Sequence, residues 1–187
     1  MLYNMGYYSL LWAGVSQSGR AVAFETAPRN IELFQNNVEC NHFQGRITLV
    51  PKAAGDHAGT ITFDAGPADQ TGWGGISRDS SANTITVPSV RLDEQLRDTN
   101  IEVLKIDVVG SDTLVLLGCE GLLKDRRIQT IYFEQNPQRM ERLGIARGDA
   151  QKLLRGVGYE CRSLGADEGE WIAHPNKAEP LLSPRGQ

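Results

Sequence analysis

Three acidic residues stand at the ends of short apolar runs, where a carboxylate can meet a ligand. Glu25 ends the run RAVAFE, Asp107 ends EVLKID and Glu134 ends IQTIYFE. Continuous apolar runs of this length are typical of parallel strands that are buried on both faces. Ligands of open parallel sheets bind just beyond the carboxyl ends of the strands, so these carboxylates are predicted to meet a ligand first.

Glu25 follows the first of these runs and precedes a helix that is predicted to begin near Pro28. A carboxylate after the second strand of such a sheet can accept hydrogen bonds from both hydroxyls of a ribose. An acid just before a helix also serves as a cap for the free N–H groups of its first turn. Glu25 is therefore predicted to bind a ribose, with a capping role as the alternative.

Lys105 and Asp107 flank an isoleucine at the end of an otherwise apolar strand. Because side chains alternate along a strand, the two charges are predicted to point to the same face. Burying them costs free energy unless they pair with each other or meet a ligand. Both are therefore predicted to belong to the catalytic site, with a structural ion pair as the alternative.

Asp56 and His57 follow the next predicted strand, RITLVP. An acid at this position can reach the exocyclic amine of an adenine ring, and the histidine beside it can act as a general base. Gly-Asp is also ordinary turn chemistry, and a solvated turn histidine is the alternative for His57. The histidines and cysteines show no metal-ligand spacing, so no metal site is predicted.

The chain opens on MLYNMGYYSLL, which is typical of the second half of a nucleotide-binding loop that leads into a helix. Glycine at Gly6 lets the backbone approach a ligand, and Asn4 stands two residues before it. No GxGxxG motif is present, so a plain turn is the alternative. No apolar run precedes the loop, and the first strand of the sheet is therefore expected to be missing.

The remaining pattern predicts an α/β domain over residues 1–175 and a flexible tail over 176–187. Within 59–88, the alternating runs GTITF and TITV predict two antiparallel edge strands around a long polar loop. A loop of that length in a compact domain is usually functional. Trp73 in this loop is predicted either to cover a substrate or to anchor the loop. The later runs YECRS and WIA predict a closing hairpin.

The composition excludes several classes of protein. The 187 residues carry a formal net charge of -4, which argues against a nucleic-acid-binding surface. No apolar run approaches the roughly 20 residues that span a bilayer, and no secretory signal opens the chain, so no membrane partner is predicted. The 3 cysteines lack CxxC spacing and indicate reduced thiols, hence a cytoplasmic protein. The composition leaves open whether the chain forms a homo-oligomer.

Taken in order, several of these segments resemble the FkbM family of S-adenosylmethionine-dependent methyltransferases. They are GYYSLL from Gly6, AFE-x-x-P around Glu25, NNV from Asn36, VRLDE from Val90, LKIDV-x-G from Leu104, L-x-G from Leu116 and I-x-x-E ending at Glu134. The resemblance covers nearly the whole chain, and the segments keep the order and spacing of the family.

The resemblance implies a Rossmann-like class I methyltransferase fold, a three-layer α/β sandwich with a mostly parallel sheet and an antiparallel last strand. It implies S-adenosylmethionine as methyl donor and a hydroxyl of a small molecule or sugar as acceptor. By position, Asn4 and Gly6 match the end of the family's cofactor loop, and Glu25 matches its ribose-binding acid. Asp56 falls at an adenine contact, and Asp107 matches the acid that faces the methionine end and the acceptor.

Two departures from the family pattern bear on activity. The first strand and the first half of the cofactor loop are expected to be missing, and Val109 replaces the glutamate of the family's Asp-x-Glu-Gly. These departures keep a second hypothesis open, a degenerate methyltransferase-like module that binds without catalysis. A nicotinamide-dependent dehydrogenase, the third hypothesis, shares the ribose acid but requires the absent GxGxxG.

Overall fold

The computed structural model describes residues 4–67, 72–78, 83–166 and 169–176. The described strands are β1 (Ala21–Phe24), β2 (Ile47–Val50), β3 (Ala53–Ala54), β4 (Gly59–Asp64), β5 (Gly75–Ile76), β6 (Thr84–Val90), β7 (Ile101–Ile106), β8 (Ile128–Glu134), β9 (Tyr159–Ser163) and β10 (Glu170–Pro175). The described helices are α1 (Tyr7–Val15), α2 (Pro28–Cys40), α3 (Leu92–Gln95), α4 (Asp112–Leu117), α5 (Glu120–Lys124), α6 (Pro137–Arg142) and α7 (Asp149–Gly156).

Each of the three sheets contains one parallel pair of strands, and two of the sheets hold the strands that end in the acids. β1 and β2 pair in parallel, and the second sheet has the order β7-β8-β10-β9. β7 and β8 are parallel, whereas β10 runs antiparallel to β8 and to β9. The closing hairpin and the antiparallel last strand are thus confirmed. Within the described ranges β1 pairs only with β2 and β7 only with β8, and the expectation that the first strand of the sheet is missing stays a prediction.

The third sheet has the order β3-β6-β4-β5, and we call it the arm. β4 and β6 are antiparallel as predicted, but the prediction that they are edge strands is wrong. β6 also pairs with β3, and β4 also pairs with β5. These outer strands have two residues each, which is too short to show a period in the sequence. Residues 68–71 and 79–82 of the predicted polar loop lie outside the described residues.

The main core lies between β7 and β8 and the helices that pack on them. Leu104, Ile106, Ile131 and Phe133 alternate along the two strands and are all buried with residues of α4 and α7. Burial of such side chains is worth about 1.5–3 kcal/mol each, which fixes the strand ends where the acids stand. A smaller cluster under α2, centred on Phe34, packs against β1 and β2.

Helix boundaries differ from the sequence pattern where capping decides them. The sequence pattern predicts a helix from Ala146 to Leu154, but α7 begins at Asp149, because Gly148 turns the chain with φ of 87°. The Asp149 carboxylate accepts a hydrogen bond from the Ala146 N–H at 2.9 Å and closes that turn. Residues 177–187 of the predicted tail lie outside the described residues. No described helix has the length and apolar character to cross a membrane.

Gly6 closes a 3₁₀ turn over Asn4–Gly6 and caps the N-terminus of α1. Its φ is 84°, and a Cβ atom at this position would lie 3.0 Å from the Phe34 ring. Left-handed backbone costs an L-residue roughly 1–2 kcal/mol, and the ring leaves no room for a methyl group. Glycine is therefore required here by conformation and by packing alike.

We expect Gly6→Ala to lower the free energy of unfolding by about 2 kcal/mol, since strain and crowding add. Gly14→Ala is the matched control, because Gly14 is helical and an added Cβ atom there would meet nothing within 4 Å. That change should raise stability by roughly 0.5–1 kcal/mol. Urea unfolding of both variants measures the difference, and equal effects of the two substitutions would contradict the explanation.

Candidate active site

A cavity of about 60 Å³ lies at the carboxyl ends of β1 and β7. Glu25 follows β1, Asp107 follows β7, and both stand on the cavity wall. Gly74 and Ile76 of the arm line another side. The fold thus brings together two of the three strand-ending acids, with a wall of backbone from the arm opposite them.

The Glu25 carboxylate is fixed by three donors. Oε1 accepts hydrogen bonds from the N–H groups of Thr26 at 2.7 Å and Ala27 at 2.8 Å. Oε2 accepts one from Asn30 Nδ2 at 3.1 Å. The capping geometry considered for Glu25 is therefore present. A carboxylate has about four acceptor positions, so one position on Oε2 remains for a ligand hydroxyl.

Lys105 and Asp107 form an ion pair, with 2.5 Å between Lys105 Nζ and Asp107 Oδ2. The contact confirms that the two side chains share a face. The Nζ atom also lies 4.4 Å from the centre of the Tyr8 ring, in a cation–π contact. The side chains keep 20% and 11% of their surface exposed, so the pair still reaches solvent or a ligand.

Two further acids adjoin Asp107: Glu134 at the end of β8 and Asp112 at the start of α4. Burial, and next the neighbouring Asp107 carboxylate, raise the pKa of Glu134 above its ordinary value. Asp112 begins α4 and is buried, and its Oδ1 accepts a hydrogen bond from the Glu134 N–H at 3.3 Å. Burial raises the pKa of Asp112 to about 7. Its Oδ2 has no hydrogen-bond partner among the described residues.

Asp56 and His57 lie outside the cavity wall. His57 Nδ1 stands 2.7 Å from Asp56 Oδ1, with side chains 58% and 39% exposed. Their carbonyls are held by Arg91 and Ser89. Ala54, two residues earlier, does line the cavity. The pair is thus at the margin of the cavity, where its predicted roles stay predictions.

The N-terminal turn also lies apart from the wall. Gly6 packs on Phe34, and the Met5 carbonyl accepts a hydrogen bond from Asn37 Nδ2 at 3.0 Å. Asn4 is placed by its backbone in the same turn. The predicted cofactor roles of Asn4 and Gly6 stay predictions.

The family model described as the methyltransferase FkbM domain matches residues 3–161. The chain belongs to the FkbM methyltransferase family. No curated protein sequence matches it significantly.

Two solved structures share the methyltransferase-like α/β fold of this FkbM-family chain. An FkbM methyltransferase from Methylobacillus flagellatus has a TM-score of 0.61 at 15% identity, over 93% of this chain and 42% of that one. An uncharacterized protein from Listeria monocytogenes serotype 4b has a TM-score of 0.52 at 12% identity, over 98% of this chain and 62% of that one. The FkbM-family chain thus spans less than two thirds of either length.

Val109, where the FkbM resemblance leads us to expect glutamate, stands on the cavity wall with φ of 45°. A β-branched residue in left-handed backbone is strained by about 1–2 kcal/mol. The apolar clusters of the core do not include Val109, so packing does not offset the strain. Gly110 continues the turn with φ of 91°.

We expect Val109→Asn to raise the free energy of unfolding by about 1 kcal/mol, because asparagine tolerates left-handed backbone. Val103→Asn is the control, since Val103 lies in extended β7 and is 40% exposed. Asparagine is disfavoured in strands, so that variant should lose stability. Denaturant midpoints of the two variants test this, and a destabilised Val109→Asn would show that the turn is unstrained.

Asp112 and the wall formed by the arm are parts of the site that the sequence pattern did not predict. Asp112 sits in a short helix, and nothing in its neighbours' types indicates that it is buried. Helix α6 was not predicted either, although Asn136-Pro137 is a usable signal for the start of a helix. Asn136 Oδ1 accepts a hydrogen bond from the Arg139 N–H at 3.2 Å, as an N-cap does. Among the described residues no group of His, Cys, Asp or Glu is arranged to hold a metal ion.

Proposed function

We propose that this chain is an S-adenosylmethionine-dependent methyltransferase domain that acts on a hydroxyl of a small molecule or sugar. One observation carries the proposal. Glu25 and Asp107 converge on one cavity at the carboxyl ends of two strands, where ligands of such sheets bind. Membership of the FkbM family supports the methyl-transfer chemistry.

The residues of the cavity fit a nucleoside. Glu25 keeps one acceptor position for a ribose hydroxyl, and the buried Thr26 hydroxyl beside it has no hydrogen-bond partner in the described structure. An unpartnered buried hydroxyl is costly unless a ligand meets it. We propose that these two groups hold the ribose. Asp56, at the cavity margin, would reach the adenine, and Asn4 and Gly6 would stand near the methionine end.

The arm must shift for such a ligand to enter. Pockets that hold ligands of this size usually measure about 300–1,000 Å³, and this cavity measures about 60 Å³. One side of the cavity is lined by Gly75 and Ile76 of β5 and by Gly74 just before it. Binding would displace that segment and leave the Glu25 and Asp107 walls in place.

The bound cofactor would supply an electrophilic methyl group for an in-line displacement. Catalysis then depends mainly on alignment of the acceptor hydroxyl, which Asp107 would orient and Lys105 would help to fix. A base is needed where the hydroxyl must lose its proton. Glu134 is the better-placed base, because it adjoins Asp107 and its raised pKa makes it a stronger proton acceptor than an ordinary carboxylate; like His57, it lies outside the cavity wall.

Isothermal titration with S-adenosylmethionine, with and without NAD as competitor, tests the proposal. We expect saturable binding of S-adenosylmethionine that NAD does not displace. Binding of NAD together with no binding of S-adenosylmethionine would instead support the dehydrogenase hypothesis.

Val109 favours a second candidate, a module that binds the cofactor without transferring its methyl group. An apolar side chain stands on the wall where the family resemblance places a carboxylate. Release of S-adenosylhomocysteine, assayed with pooled hydroxylated acceptors, separates the two candidates. Turnover by Val109→Glu with none by the unmodified chain would support the second.

A further inference from the structure

A recess of about 190 Å³ lies where the arm meets α6, and three arginines line it. Arg78 lies two residues after β5 of the arm, and Arg139 and Arg142 come from α6. Asp64 is the one acidic residue among the described residues of the wall. We call this recess the arginine recess.

The arginine recess adjoins the proposed active site. Ile76 lines both the recess and the cavity that holds Glu25 and Asp107. Arg139 connects them as well, because its Nη2 donates a hydrogen bond to the Trp73 carbonyl at 3.2 Å. A Cβ atom added at Gly110 would lie 2.5 Å from Arg139 Cβ, so Arg139 packs directly on the turn that follows Asp107.

The charges of the recess do not cancel. Three guanidinium groups face one carboxylate, in a chain whose formal net charge is -4. None of the three arginines belongs to an ion pair within the described residues. Arg78 Nη1 lies over Gly144, where a Cβ atom would be 3.3 Å away, so glycine leaves the guanidinium room. Guanidinium groups present paired N–H donors that match the oxygens of carboxylates and phosphates.

We propose that the arginine recess binds the anionic group, phosphate or carboxylate, of the methyl acceptor. The role as acceptor site rests on the proposed function, whereas anion binding itself does not. The volume suits one such group and not a polymer. A hydroxyl held near Asp107 and an anionic group held by Arg78 and Arg142 would fix an acceptor at two points, which is how binding supplies alignment.

Titration of the whole chain with inorganic phosphate and, separately, with acetate tests the proposal. The double variant Arg78→Gln/Arg142→Gln removes two guanidinium groups and leaves Arg139, which holds the arm. The double variant Arg97→Gln/Arg162→Gln is the control, because both arginines are exposed, lie outside the recess and change the net charge equally. S-adenosylmethionine binding is measured in parallel for all three proteins.

We expect phosphate or acetate to bind the unmodified chain and the control alike, and to bind the Arg78→Gln/Arg142→Gln variant at least about tenfold more weakly. The anion that binds more tightly identifies the group. Equal anion affinity in all three proteins, or an equal loss in both variants, overturns the proposal. If none of the three proteins binds S-adenosylmethionine but the expected pattern of anion affinities is observed, the proposed function is overturned and the anion site is supported.

Discussion

Replacement of Asp112 by asparagine is expected to stabilise the protein at pH 8 and to change its stability little at pH 4. Asp112 is 3% exposed, its pKa is raised to about 7 by burial, and its ordinary value is 3.8. The folded state therefore binds the proton more tightly than the unfolded state does. Stability from this residue is present below pH 4 and is lost as the pH rises to 7.

The size of the effect follows from the shift. Each unit of pKa difference corresponds to about 1.4 kcal/mol, so the loss between pH 4 and pH 7 is on the order of 4 kcal/mol. Asparagine resembles the protonated acid and keeps an oxygen for the Glu134 N–H. Because asparagine does not titrate, the variant does not lose this stability as the pH rises.

Urea unfolding of the unmodified chain and of Asp112→Asn at pH 4, 6 and 8 measures this dependence. Asp98→Asn is the matched control, because it makes the same substitution at an exposed position. A constant difference between Asp112→Asn and the unmodified chain at all three pH values would show that folding does not raise the pKa of Asp112.

Glu25→Ala is expected to weaken S-adenosylmethionine binding by about 100-fold. A hydrogen bond to a charged group is worth about 1.5–3 kcal/mol, which is roughly 10- to 150-fold in affinity. The substitution also frees the N–H groups of Thr26 and Ala27, which the carboxylate holds at the cavity wall. Both losses act on the same wall.

Glu25→Gln separates these two losses. Its amide oxygen can still accept the two backbone hydrogen bonds, and Asn30 can turn its amide to meet the new NH₂ group. We expect a weaker effect, of about tenfold, in isothermal titration. Affinity in Glu25→Ala equal to that of the unmodified chain would remove Glu25 from the cofactor site, whatever its role at the start of α2.

The strand-ending acids were predictable from sequence because one physical rule places them. Apolar runs that end in an acid indicate buried strands, and parallel strands end at a common edge. Glu25, Asp107 and the pairing of Asp107 with Lys105 follow from that rule and from alternation. The FkbM assignment could likewise be made from sequence, since its segments are spread along the whole chain.

The arm was predictable only in part. Its long strands alternate visibly, but β3 and β5 depend on pairing partners that are remote in sequence. The position of Gly75 and Ile76 on the cavity wall could therefore not be predicted from the sequence. The arginine recess has the same origin, because Arg78 and Arg142 are brought together only when the arm meets α6.

Burial was the other quantity that sequence could not provide. Asp112 stands among residues that suit an exposed helix start as well as a buried one, and only packing of α4 under β8 decides between them. Conversely, Asp56 and His57 have suitable chemistry, but the turn after β3 places them on the surface. Residue type indicated their chemistry, and tertiary structure determined their exposure.

NMR of S-adenosylmethionine carrying a ¹³C-labelled methyl group tests the central claim most directly. Val108 and Val109 line the cavity next to Asp107, so their side-chain methyl groups report on a methyl donor bound there. We expect a shifted bound-methyl signal with nuclear Overhauser contacts to both valines, and loss of the contact to Val109 in Val109→Ala. A bound signal without contacts to either valine, or no bound signal at all, would contradict it.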